Sequence, residues 1–320
     1  MNAIRIKEFG PPEVMKLEAI SDLIPEKGQV LIRVKAVGVN PYETYIRAGR
    51  YDRKPQLPYT PGGDCAGIVE STGQEVSSCK KGDRIYTSGS VTGTYAEYTI
   101  CEESHVHPLP DNVSYSQGAG IGVPYATAYR ALFQLSHAVA SETVLVHGGS
   151  GGVGIAGIQL ARAAGLTVIT TAGSEQGRKL VADQGASHVF DHHDPERFEK
   201  IMSVTKNRGV DIILEMLANI NLAHDLSICA YHGRVVVIGS RGSVEIDPRR
   251  LMAKELSVMG MILFNVREPD LTSIHAGIFA GLSNKTLNPV VGKEFPLKDA
   301  PLAHIRIMEP GSFGKIVLIP

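Results

Sequence analysis

The stretch Val144–Gly154 reads VLVHGGSGGVG, and its Gly149, Gly151 and Gly154 satisfy the spacing G-x-G-x-x-G. A lone glycine pattern carries little weight. This one follows a compact apolar strand, Glu142–His147, and opens a helix expected over Gly154–Ala164 and closed by Gly165, which is the context that gives the pattern meaning. The three glycines serve different ends. Gly149 permits a tight turn, Gly151 lets backbone approach a pyrophosphate, and Gly154 allows close helix–sheet packing. The helix start then offers unpaired N–H groups and a favourable dipole to phosphate oxygens. The stretch reads as a dinucleotide-binding turn.

Strand patterns recur downstream at Leu166–Thr171, Ser187–Phe190, Val210–Glu215 and Gly233–Ile238, with helical segments such as Glu175–Gln184 between them. Buried strands alternating with helices predict an α/β, doubly wound parallel sheet, and residues 125–264 hold too few such units for a barrel. Upstream, Gln29–Val37, Ala66–Glu70 and Thr94–Ile100 read as short strands. They are separated by turn signals at Asn40–Pro41, Pro61–Gly62–Gly63 and Lys81–Gly82–Asp83, which predicts a small, partly closed β-rich domain. The tail, residues 265–320, returns to short strands and one helix, ending in Gly314–Ile319. It is too short to fold comfortably alone. The expected organisation is therefore a discontinuous domain of residues 1–124 and 265–320, with a dinucleotide-binding domain of 125–264 inserted in it.

The end of the second strand of that domain addresses which dinucleotide. An NAD site usually places an acidic residue there, about 20 residues beyond the glycines, to accept the ribose 2′-hydroxyl. This chain has Thr170, Thr171, Ala172, Gly173 and Ser174, which leave room for a 2′-phosphate, with Arg178 and Lys179 close by in sequence to balance its charge. In a slightly later register Glu175 would face the ribose instead. The balance favours NADPH.

Composition narrows the class. The 320 residues are 43% apolar and 20% charged, with a formal net charge of -1, so neither nucleic acid nor an anionic membrane is indicated by bulk charge. The first residues, MNAIRIKEFG, contain no signal-type apolar run, and no stretch of about 18 apolar residues occurs to span a bilayer. A soluble, cytoplasmic protein is expected. Cys65, Cys79, Cys101 and Cys229 are widely separated, form no CxxC pair, and read as free thiols.

Further segments carry a family resemblance. VGVNPYETYIRAGRY (Val37–Tyr51), LPYTPGGDCAGIVE (Leu57–Glu70), KKGDRIY (Lys80–Tyr86), the glycine turn and EMLANINL (Glu215–Leu222) occur in order. Together they resemble the zeta-crystallin type of quinone oxidoreductase, within the medium-chain dehydrogenase/reductase superfamily. The resemblance covers nearly the whole chain. It implies a Rossmann domain inserted into a GroES-like catalytic domain, and a homodimer or homotetramer. It also implies cofactor contacts at Tyr45, near the nicotinamide, at Ser150, Gly151, Gly152 and Val153, on the pyrophosphate, and at Gly173, by the adenosine ribose. His192 (with His193 one register away), Asn221, Gly239, Ser240, Arg241, Met261, Ile262 and Leu263 complete the implied set, to which the residue reading adds Ser174 and Arg178.

Zinc-dependent relatives supply a cysteine after the GV of a GVC-like segment and a histidine in a GHE-like one. This chain has Asn40 at the first position and Gly63–Asp64 around the second, and a neutral amide is a poor substitute for thiolate. No metal is expected. Without a Lewis acid, Asn40 and Tyr45 become the candidates for hydrogen bonding to a quinone carbonyl as it gains charge, while Asp64 is expected to hold loop structure. Relatives include one-electron reducers that yield semiquinones. Rival readings are a 2-alkenal or enoyl reductase of the same superfamily, and a non-catalytic lens-crystallin or AU-rich RNA-binding role known in the resembled family.

Overall fold

The computed structural model describes residues 1–52, 54–311 and 313–320. The chain divides into two compact units, one of Met1–Val123, Asn288–Pro310 and Gly314–Pro320, the other of Pro124–Leu287 and Gly311–Phe313. The expected discontinuity is present, but the second boundary falls at residue 288 and not at 265. The reason is the helix Glu268–Ser283, whose Ile274, Ile278 and Leu282 are buried. Gln134 donates to the carbonyl of Asp270, and Gly277 lies against the Tyr129 ring. That packing holds residues 265–287 in the second unit. The tail accordingly contains a further helix, Ala300–Arg306, in the first unit.

The first unit is built on a seven-stranded sheet. At its centre Gln29–Gly38 alternates as the sequence predicts, with Val30, Ile32, Val34 and Ala36 buried. One edge of this strand pairs with Asp64–Thr72, and the other with Tyr98–Glu102 and then Lys315–Ile319. The pairing with Lys315–Ile319 brings the chain's end back to its beginning. Val30, Ile32, Ile85, Tyr95, Cys101, Leu318 and their neighbours form the core, each large apolar side chain contributing about 1.5–3 kcal/mol on burial. The strand expected at Thr94–Ile100 starts later, at Tyr98. Thr94 and Tyr95 instead donate to the carbonyls of Gly62 and Pro61, and Ala96 forms an isolated bridge with Ala3, following Gly93 at φ +88°.

The second unit is a six-stranded parallel sheet. Its spatial order is His188–Phe190, Thr167–Thr171, Thr143–Val146, Val210–Glu215, Cys229–Val237 and Ser257–Gly260, the 3-2-1-4-5-6 order of dinucleotide-binding folds. Thr143–Val146 is buried at every position because the sheet is covered on both faces. The helix Gly152–Ala163 runs from the glycine turn and buries Ile155, Ile158 and Leu160. It ends in a Schellman motif, with Gly165 at φ +80°, its N–H on the Arg162 carbonyl and the Leu166 N–H on Ala161. A helix that starts at Gly122 widens to π geometry over Arg130–Leu135, where the Ser136 N–H and hydroxyl both reach the Ala131 carbonyl. Among the described residues no helix is long and apolar enough to cross a membrane.

Candidate functional site

Every candidate cofactor residue of the second unit follows the carboxyl end of a strand. Ser150–Val153 come after the first strand of the fold, Gly173–Ser174 after the second, His192 after the third and Asn221 after the fourth. Gly239–Arg241 follow the fifth, and Met261–Leu263 the sixth. Ligands of open α/β sheets bind at this edge, where the strand order reverses.

The glycine turn is a cradle that side chains would fill. A Cβ on Gly149 would collide with Oγ1 of Thr170, and one on Gly154 would come within 2.5 Å of the Gly148 carbonyl. Gly151 caps the helix, leaving the first-turn N–H groups of Gly152, Val153 and Gly154 without intrahelical acceptors. Ser150 is buried beside them. A pyrophosphate fits this backbone. At the adenosine end a Cβ on Gly173 would strike Nε2 of His192 and come within 3.0 Å of Nε2 of His193, so both rings approach the glycine, His192 more closely. Burial and the neighbouring His193 lower the His192 pKa, favouring a neutral ring. Ser174 caps the helix Glu175–Asp183 by accepting from the Gly177 N–H. Arg178 pairs with Asp191 at 2.7 Å, a half-exposed ion pair, and Lys179 and Glu175 are not buried. Asn219 accepts the Arg241 N–H at 2.9 Å, and Gly239 lies against the Met216 carbonyl, which ties the fourth and fifth loops together. Asn221 donates to Glu215 at 3.3 Å. Met261 bonds the Val237 carbonyl, while Ile262 is exposed.

The first unit holds a buried polar cluster. Asn40 caps the helix Pro41–Arg47, with Pro41 at the position that tolerates it and the Asn40 N–H on Glu43 at 2.9 Å. Its carboxamide is 2% exposed and already engaged: Nδ2 donates to Asp64 at 2.9 Å, and Oδ1 accepts from Lys315 Nζ at 2.6 Å. Asp64 also accepts the Val123 N–H at 3.0 Å, and Lys315 reaches it at 3.4 Å. Tyr95 donates to Glu43 at 2.7 Å and lies 2.9 Å from Nε2 of His304. Burial pushes Glu43 up to about 7 against the pull of its hydrogen bonds, raises Asp64 and lowers Lys315. Burial and Arg47 bring His304 down to about 3. Tyr45 is half-buried on the same helix.

Zinc does not fit this donor set. An ammonium, 5% exposed, occupies the contact with Asn40 and Asp64 and supplies the positive charge there. Sequence reasoning singled out Asn40 and Asp64 but missed Glu43, Tyr95, His304 and Lys315. A lone lysine in the apolar run KIVLI was the available signal. A second buried group, His147 and Glu215 at the ends of the first and fourth strands with Asp225 on the helix Ala218–Ile228, was also missed.

The same architecture recurs in known proteins. Residues 26–111 match the alcohol dehydrogenase GroES-like domain family, and residues 152–274 the zinc-binding dehydrogenase family. The human protein named quinone oxidoreductase is 49% identical over 321 residues, spanning all of this chain and 98% of that one. The chain belongs to the quinone oxidoreductase family. Among solved structures of similar fold, Escherichia coli quinone oxidoreductase complexed with NADPH is 27% identical with a TM-score of 0.90, covering both chains fully. A mycobacterial protein complexed with NADPH is 30% identical with a TM-score of 0.91, again over both whole chains. In this quinone oxidoreductase family member, then, the glycine cradle stands on a fold whose relatives carry NADPH.

Proposed function

We propose that the chain catalyses NADPH-dependent reduction of quinones. The observation that carries the reading is the glycine cradle at the carboxyl edge of a 3-2-1-4-5-6 sheet, followed by a neutral end to the second strand. When bound, NADPH supplies the hydride equivalent. The protein's part is to hold and orient. The first-turn N–H groups of the helix Gly152–Ala163 bind the pyrophosphate, and Gly173, Ser174 and Arg178 receive the 2′-phosphate end. His192, Asn221, Gly239, Ser240, Arg241, Met261, Ile262 and Leu263 line the remaining strand ends.

On the catalytic unit, Tyr45 offers a hydroxyl to the acceptor carbonyl as negative charge grows on its oxygen. Asn40 orients that helix through its cap and through Lys315. No metal enters the proposed reaction, and the protein works as a cytoplasmic homodimer or homotetramer. Support for the first statement comes from the donor set, and for the second from the family.

The test is oxidation of NADPH, with NADH alongside, against 9,10-phenanthrenequinone, a 2-alkenal and buffer. Quinone-dependent turnover that prefers NADPH by about tenfold, or ~1.4 kcal/mol, is the expected result. Turnover of the alkenal alone would transfer the assignment to carbon–carbon double-bond reduction.

A further inference from the structure

His147, Glu215 and Asp225 belong to three elements of the nucleotide-binding unit. His147 follows the strand Thr143–Val146, Glu215 ends the strand Val210–Glu215, and Asp225 lies on the helix Ala218–Ile228. They are 3%, 0% and 0% exposed. Nε2 of His147 is 2.9 Å from Oδ1 of Asp225 and 3.6 Å from Oε2 of Glu215. Among the described residues neither Oε2 of Glu215 nor Oδ2 of Asp225 has a hydrogen-bond partner. Two ionised carboxylates buried together, each with one oxygen lacking a donor, would be strongly unfavourable. Ligand atoms of the three residues lie within 4.8 Å of one another, and one proton shared between the carboxylates would remove both deficits, one oxygen becoming a donor and the other its acceptor.

The surrounding bonds say where that proton sits. The Leu217 N–H and Nδ2 of Asn221 both donate to Oε1 of Glu215, so Oε2 is left to carry the proton toward Asp225. At the other end, Oγ1 of Thr171 accepts the Gly148 N–H and lies 3.4 Å from Nδ1 of His147. The hydroxyl therefore donates to Nδ1, and Nε2–H donates to Asp225. We propose that Glu215, Asp225 and His147 form a buried proton-sharing chain that positions the phosphate-binding turn and the Leu217–Asn221 loop for NADPH. Glu215 holds the fourth-strand loop through Leu217 and Asn221, and His147 immediately precedes the turn. All three are positioning residues.

The groups that face the chain are few. Arg197 lies over the Phe198 ring at 4.2 Å, His224 stacks on the same ring, and among the described residues His192 and Cys229 are the other titratable neighbours. Arg197 favours an anion on Asp225, and burial opposes it. Burial raises Glu215 to about 8 and Asp225 to about 7, and the two titrate as a pair. A raised acid stabilises the folded arrangement at low pH and loses that contribution as pH rises. Deprotonation above about pH 8 would set two carboxylates against each other and loosen both cofactor loops.

The experiment rests on NADPH binding and is read without turnover, by titrating wild type, Glu215→Gln and Glu215→Ala with NADPH from pH 6.5 to 9.5. The cofactor's own phosphate is fully ionised over most of this range, its second pKa being about 6. Wild type is expected to lose about fivefold or more in affinity between pH 7 and 9.5. Glu215→Gln, which keeps a neutral donor, is expected within about threefold of wild type at pH 7 and to stay flat. Glu215→Ala is expected to bind weakly throughout. If Glu215→Ala fails to fold, the wild-type and glutamine profiles decide alone. A tight, pH-independent wild-type Kd, or a glutamine variant as weak as alanine, overturns the proposal. So does a stoichiometric divalent metal retained by wild type and lost from Glu215→Gln. A protein that binds no NADPH at any pH overturns the cofactor assignment as well.

Discussion

The ammonium of Lys315, on the last strand of the chain, lies 2.6 Å from Oδ1 of Asn40, the residue that caps the first helix of the catalytic unit. Two parts of the sequence separated by 275 positions are joined by one buried charge. Removing one partner of a buried, hydrogen-bonded pair typically costs about 3–5 kcal/mol, because the other charge is left uncompensated. Lys315→Met should therefore destabilise the protein by that order in denaturant unfolding. Lys315→Met combined with Asp64→Asn should recover a substantial part of the loss. Equal destabilisation of the single and double variants would refute the pairing.

The raised pKa of Glu43 gives a pH dependence with a definite sign. Its folded value is about 7 against an ordinary 4.5. Its contribution to stability is complete below about pH 4.5 and is lost as pH rises to about 7. Glu43→Gln mimics the protonated form and can still accept from Tyr95 and the Asn40 N–H. Its difference in stability from wild type should change across that window, to the variant's advantage as pH rises. Parallel profiles would refute this. His304 acts oppositely, since a histidine lowered to about 3 adds stability above pH 6.5 that is lost on acidification, so the comparison with Glu43→Gln is what isolates the carboxyl.

Gly149→Ala places a methyl group against Oγ1 of Thr170, whose hydroxyl donates to the Val146 carbonyl at 2.8 Å. Overpacking of this kind costs about 1–3 kcal/mol. NADPH affinity should fall by about tenfold or more. Adding Thr170→Ala removes the colliding atom and should restore part of the binding, as read by fluorescence titration. A double variant no better than Gly149→Ala would place the defect elsewhere.

Arg178 is held by Asp191 in a half-exposed pair, so its guanidinium is oriented but not neutralised by burial. Arg178→Gln should weaken NADPH by about tenfold and leave NADH unchanged, while Asp191→Asn should strengthen NADPH. Equal loss for both dinucleotides would show that the arginine supports structure and does not read the 2′-phosphate.

Tyr45→Phe should lower kcat for quinone by about tenfold or more while leaving the Kd for NADPH near wild type, the signature of a donor used as charge develops. A matched loss in both would make Tyr45 a binding residue.

The nucleotide-binding unit was legible because its signals are local. Glycines with a strand before and a helix after them, apolar strands and a C′ glycine at Gly165 are each short-range patterns. The boundary at 288 was not, because it depends on which surface the helix Glu268–Ser283 covers, and its sequence is apolar enough to suit either unit. The polar cluster of the catalytic unit escaped for the same reason. Glu43 and Arg47 look like ordinary turn-to-turn charges of an exposed helix, and their partners in the fold, Tyr95 for Glu43 and Gly10 and His304 for Arg47, lie far from them in sequence. His147, Glu215 and Asp225 are likewise ordinary taken singly, since their meaning comes from strands adjacent in space but far apart in sequence.

The six strand ends that carry the dinucleotide candidates also bear on how such a protein changes over time. Each recognition element belongs to a separate loop above the hydrogen-bonded ladder, although contacts such as Asn219 with Arg241 couple neighbouring loops. Substitutions can accumulate in one loop while the others keep the ligand in place. Preference between phosphorylated and unphosphorylated dinucleotides can thus drift by small steps, none of which needs to pass through an unfolded or ligand-free ancestor.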